Sequence, residues 1–189
     1  MLTLTEIVYA VRGLSLLARF DARGLEYFDR SIQGFWRSFQ VAVLVAPVHA
    51  FVLGTVLPSF EPTVSWQQIL IIVIVFYIIN WFIYPVVAFE ICRILKKEAE
   101  YVGFIAVYNW LALLGAAADL VITTPEALGV WDSRASTGIG YLVYIALLAL
   151  SWFVARHSLR IAGSLALGFV FIGFAIDIIL VHFMAAMLK

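Results

Sequence analysis

Five long apolar runs dominate the chain, at about residues 39–57, 66–92, 101–122, 139–158 and 162–187. A hydrocarbon core about 30 Å thick needs roughly 20 helical residues at about 1.5 Å each, so each run predicts one membrane-spanning helix. Four breaks separate them: "PSFEPTVSW", "RILKKEAE", "TTPEALGVWDSRASTG" and "RHSLRIAG". Connections this short predict antiparallel neighbours and an all-α, five-helix membrane bundle over residues 39–189.

Residues 1–38 have a different pattern. Leu4, Ile7, Val8, Val11 and Leu14 recur at helical spacing, as do Leu25, Phe28, Ile32, Phe35 and Phe39. Glu6, Arg12, Arg19, Glu26, Arg30, Gln33 and Arg37 fall on the other faces, and "FDARG" interrupts the two stretches. Two amphipathic helices on the cytoplasmic interface fit this pattern, with Arg12, Arg19, Arg23, Arg30 and Arg37 facing anionic lipid headgroups. Packing of the same helices against the cytoplasmic end of the bundle fits it equally well. "TLTE" at Thr3 to Glu6 has capping-box spacing for the first of them.

Composition supports the membrane assignment: 65% of the 189 residues are hydrophobic and 13% charged, with a mean hydropathy of +1.05. The 12 basic and 12 acidic side chains cancel, so no nucleic-acid surface is expected. Their placement matters more. Five arginines precede the first span, Arg93, Lys96 and Lys97 follow the second, and Arg156 and Arg160 follow the fourth, against Arg134 and Lys189 on the other side. The positive-inside rule then predicts a cytoplasmic N-terminus and an outside C-terminus. Trp66, Trp131, Tyr101 and Tyr141 fall near span ends, as interfacial anchors do. The lone cysteine, Cys92, excludes an intramolecular disulfide and reads as a buried thiol. The N-terminus lacks the pattern of a cleaved signal peptide, and the expectation is an unprocessed chain.

An ionisable group at membrane depth costs about 2.5 to 3.5 kcal/mol on insertion scales, so each needs a partner, a cavity or a role. His49, Asn80, Asn109 and Asp177 fall near the midplane on four different helices, and Asp119 and His182 fall nearer the outer face. Depth alone pairs His49 with Asp177, and Asp119 with His182. Asp177 and His182 lie five residues apart, rotated by about 140°, so they face different neighbours. Ala162, Ala166, Gly173 and Asp177 share one face of that helix, and Ser164, Gly168, Ala175 and His182 another. Asn109, Ala112, Ala116 and Asp119 form a stripe expected to face protein or a wet cavity. Two roles compete for these groups: a proton, ion or solute site, in which a carboxylate beside imidazole exchanges a proton near neutral pH, and interhelical hydrogen bonds that fix packing. Glu90 is expected to pair with Arg93 or Lys97, and His157 to be solvated in the "ARHSLR" turn. Pro47 and Pro85 each free a backbone carbonyl one turn earlier in its span.

The motifs of a zinc protease, a serine hydrolase elbow and a phosphate-binding loop are missing from the sequence. Three dispersed histidines assign no metal or haem cage, and no cofactor or catalytic residue is predicted. Five spans, an amphipathic N-terminal region and a short outside tail resemble the layout of Yip1-like membrane proteins. "GFWRSFQVAVLVAP", "YVGFIAVYNW" and "WFVARHSLRIAG" are similar to stretches of small proteobacterial inner-membrane proteins, a resemblance that implies a bacterial inner membrane. The Yip1-like resemblance implies a role in membrane organisation through partner proteins. The leading expectation is a non-enzymatic scaffold or accessory subunit that binds lipids and another membrane protein, or itself as a homo-oligomer. The alternative is a small oligomeric transporter or channel with a protonatable His49/Asp177 site. An enzyme acting on lipids is a third class, with no nucleophile to name.

Overall fold

The computed structural model describes residues 2–60 and 62–189, apart from the side chains of Ser59 and Phe60, and the described residues contain no strand. Helix α1 (Leu4–Leu17) is followed by a 3-10 turn (Ala22–Tyr27), α2 (Ile32–Ser38) and α3 (Val41–Val56). A second 3-10 turn (Leu57–Phe60) leads to α4 (Trp66–Ile94), α5 (Glu98–Ala127), α6 (Ser133–Leu159) and α7 (Gly163–Met187). Five segments are long and apolar enough to cross a membrane: Ile32–Val56, which joins α2 to α3, and the four helices α4 to α7. The chain is a helical membrane bundle.

Local chemistry sets the helix ends. Thr3 caps α1 in a full capping box with Glu6, and Ser65 does the same for α4 with Gln68. The third break is shorter than its composition predicts. Helix α5 runs through Pro125 to Ala127, because a proline in the last turn costs little when only the carbonyl of Val121 loses a donor. Gly129, at φ +69°, turns the chain, and Asp132 accepts the Ala135 amide at 2.7 Å to start α6. The fourth break also contracts. His157, expected in a solvated turn, is half-buried in α6 and lies against Phe153 with ring centroids 4.1 Å apart. The turn falls instead at Arg160, which takes left-handed backbone at φ 52°.

Packing is concentrated at one end. Helices α4, α5, α6 and α7 close a ring in which each touches the next, and α3 lies along α5. In the first half of α5, Tyr101 and Gly103 to Val107 are buried, as are Asn109, Trp110 and Leu111. A helix apolar on all sides must be surrounded, and the N-terminal segment completes the enclosure. Ala10, Leu14 and Leu17 of α1, with Leu25 and Phe28, join Phe104 and Trp110 in a single core. Residues 2–38 therefore form a folded layer against the bundle, the second of the two arrangements that fit their pattern.

Close backbone crossings and one charge cluster hold that layer. A Cβ on Gly24 would lie 2.6 Å from the Gly13 carbonyl oxygen, so α1 and the 3-10 turn touch through two glycines. The Arg37 guanidinium lies 2.5 Å from Asp29 Oδ2 and 3.0 Å from Glu6 Oε1, tying α2 to α1. Hydrogen bonds from Ser31, with the Arg37 charge beside it, hold the Asp29 carboxyl below its ordinary 3.8. Arg23 pairs with Asp21, Arg12 covers the Tyr27 ring at 5.6 Å, and Arg30 crosses over Gly103. Arg19 stays exposed. Of the five arginines read as headgroup contacts, Arg37 is a structural tie and Arg23 has an intramolecular partner. Tyr101 is likewise no interfacial anchor: it is buried and donates to the Pro85 carbonyl at 2.9 Å. Glu90 pairs with Arg93 at 2.5 Å, and Cys92 is buried.

The opposite half is open. A Cβ added at Gly54, Gly115, Gly138 or Gly140 would meet nothing within 4 Å. A small apolar cluster of Leu57, Ile69, Ile72 and Leu188 joins the far ends of α3, α4 and α7. The Thr63 amide donates to the Leu188 carbonyl at 3.0 Å, and its hydroxyl to the Lys189 carbonyl.

Candidate functional site

The tight half ends, and the open half begins, at the level of the polar residues. Asn80 falls at the middle of α4, and Asp177 just past the middle of α7. On α4, Tyr77, Asn80, Trp81 and Tyr84 are three, four and seven apart and share a face. Gly173 and Asp177 share a face of α7, with Gly173 allowing Tyr84 close approach: a Cβ there would lie 3.2 Å from the Tyr84 ring.

Three cavities meet at Asp177. The first, about 280 Å³, lies between α3, α4 and α7 and is bounded by His49, Tyr77, Asn80 and Asp177 over an apolar floor. The second, about 190 Å³, is bounded by Asn80, Tyr84, Tyr108, Asn109, Ser151 and Asp177. The third, about 120 Å³, is lined by Tyr84, Tyr108, Tyr144, Phe174 and Asp177. Each of the four midplane groups expected from depth lines the first or the second cavity, and Asp177 lines all three.

Their bonding separates them. The Asn109 amide donates to the buried Ser38 hydroxyl at 2.9 Å, joining α5 to the end of α2. That is an interhelical packing bond. His49 lies tilted against Tyr77 with centroids 5.0 Å apart, and Tyr77 donates to the Ala42 carbonyl at 2.6 Å. His49 and Asp177 line the same cavity without forming an ion pair. Among the described residues, neither Asp177 nor Asn80 has a hydrogen-bond partner. Both side chains are exposed, as His49 is, and they join no helices.

The shallower pair does not form. His182 turns back on its own helix, with Nδ1 2.8 Å from the Ile178 carbonyl oxygen, and Asp119 is exposed. The stripe on α5 divides accordingly: Asn109 and Ala112 border the second cavity, and Asp119 does not. Only one of the two predicted faces of α7 is contacted. Ala166 is fully buried, whereas Ser164, Gly168 and His182 on the other face are exposed. The reason is topological: α7 closes the ring between α4 and α6, which take most of its contacts.

The tyrosines are the part of the site that sequence reasoning missed. Tyr84 and Tyr108 stack at 4.4 Å, and Tyr144 lies 6.2 Å from Phe174. Their spacing relative to Asn80, Asn109 and Ser151 was the available signal. Among the described residues no group of three His, Cys, Asp or Glu side chains is placed to hold a metal ion. Comparison with protein-family models, curated proteins and solved structures finds no match to the chain.

Proposed function

We propose that this protein is a small membrane transporter whose solute or proton binds at Asp177, near the midplane. One observation carries the reading: a carboxylate without a partner borders three adjoining cavities on the path of the spans. A group this costly in lipid is matched by a ligand, a proton or water. The proposal sets the N-terminal layer in the cytoplasm of a bacterial inner membrane, supported by the ten basic residues on that side of the spans. The closed half is then cytoplasmic and the open half faces outward. Gating requires the tight half to loosen, or a second copy to complete the path.

Asp177→Asn, reconstituted into liposomes, tests this. The expected result is a loss of pH-dependent flux of about tenfold or more, with normal accumulation of folded protein, because removing the charge also removes an insertion cost of about 2.5 to 3.5 kcal/mol. Undiminished flux would sink the role. Failure to accumulate would identify Asp177 as structural.

A second reading, the accessory subunit or Yip1-like organiser of membranes, is favoured by the free face of α7. Ser164, Gly168 and His182 make a small and polar strip open to approach, the kind of surface that transmembrane helices use to associate. Native mass spectrometry of gently extracted protein separates the two. A stoichiometric second protein, lost on Gly168→Leu, is the outcome expected of an accessory subunit. A homo-oligomer or monomer without partners is that expected of a transporter.

A further inference from the structure

The third cavity has a composition that a proton alone does not require. Asp177 forms one wall, and Tyr84, Tyr108, Tyr144, Phe169 and Phe174 form much of the rest, in about 120 Å³, with Asp177 and Tyr144 on its exposed side. None of the three tyrosine hydroxyls is bonded to another described residue. The rings are held from behind: Phe104 sits edge-on to Tyr84 at 6.4 Å and to Phe169 at 5.7 Å, and Gly173 admits Tyr84 against α7.

The spans offer this carboxylate no cation. Lysine and arginine are absent from the sequence between Arg37 and Arg93, between Lys97 and Arg134, between Arg134 and Arg156, and between Arg160 and Lys189. A carboxylate with aromatic walls and no cationic partner has a specific complement. Ring faces attract a cation through their quadrupoles, most strongly where water is excluded, and such boxes recognise ammonium groups. The alternatives fit less well. A divalent metal needs several oxygen ligands, and only one carboxylate is at hand. An anion or a zwitterion would leave its negative group without a cationic side chain to receive it.

We infer that the mid-depth site binds a small organic ammonium ion, with Asp177 as counter-ion and Tyr84, Tyr108 and Tyr144 as its walls. This rests on the reading of the Asp177 region as a solute site. Asn80 and His49, on the adjoining first cavity, would receive whatever polar substituent the ammonium carries.

The test uses the full chain in lipid nanodiscs, with tetramethylammonium, methylammonium and choline as probes and 3,3-dimethylbutan-1-ol as the neutral counterpart of choline. Binding is read by calorimetry and by the shift in unfolding temperature followed by tryptophan fluorescence. Choline is expected to bind about tenfold or more tighter than its neutral counterpart, with the advantage abolished in Asp177→Asn and reduced in Tyr108→Leu. Equal affinity for the two, or no binding of any ammonium probe to the native chain, overturns the inference without recourse to a variant. Proton flux in liposomes of the same protein distinguishes the levels. Asp177-dependent proton flux without ammonium binding rejects the ammonium ion and retains the transporter. Loss of both rejects both.

Discussion

Exchanging Phe104 for alanine is expected to destabilise the folded bundle by about 3 to 5 kcal/mol. Phe104 is fully buried in the tight half of α5, with Tyr84, Tyr108 and Phe169 as ring neighbours 5.7 to 6.4 Å away. In lipid the apolar side chain gains little from leaving its surroundings, so its contribution is contact with packed neighbours, and alanine forfeits those contacts while the rings around it are pinned. Equilibrium unfolding in mixed detergent micelles measures the loss. A change below about 1 kcal/mol would show that the cavity collapses, contrary to the interlocked packing described above.

Gly34→Ala is expected to have the second largest effect, and it acts on the N-terminal layer. A Cβ at this position would lie 2.1 Å from the Asp29 carbonyl oxygen and 2.7 Å from its carbonyl carbon. These are backbone atoms, and no rotamer relieves the overlap. Helix α2 must shift, which separates Arg37 from Glu6 and Asp29 and disturbs the Ser31 cap, whose hydroxyl accepts the Gly34 amide at 3.1 Å. The expected cost is about 1 to 3 kcal/mol, with faster proteolysis between α1 and α2. Gly115→Ala is the control: with open space around it, alanine in mid-helix is expected to be neutral or to stabilise by about 0.5 to 1 kcal/mol.

The parts of this fold legible in the sequence are those that a local rule determines. Twenty apolar residues must span, and Thr3 with Glu6 must cap, whatever surrounds them. Depth is also local, which is why counting along the spans placed His49, Asn80, Asn109 and Asp177 at one level. Which of them bond is not local. Asn109 found Ser38, 71 residues away, and no spacing within either helix announces it. The tyrosines escaped for another reason. In an apolar run Tyr84 and Tyr108 read as bulk, and only the ring of four helices turns them into walls facing a carboxylate. The N-terminal helices fall between the two cases: periodicity showed an apolar face on α1 but could not show that the 3-10 turn and α5 supply its cover.

That cover determines the order in which the chain can mature. The N-terminal layer leaves the ribosome first, yet its apolar face meets its partners only when residues 101–111 arrive, and α7 comes later still to complete the surroundings of Phe104. Until then Ala10, Leu14 and Leu17 have only the following turn, with Leu25 and Phe28, to bury against. The core around Phe104 closes only once α5 and α7 have both been made, and a holding interaction with the membrane surface or the insertion machinery would bridge that interval.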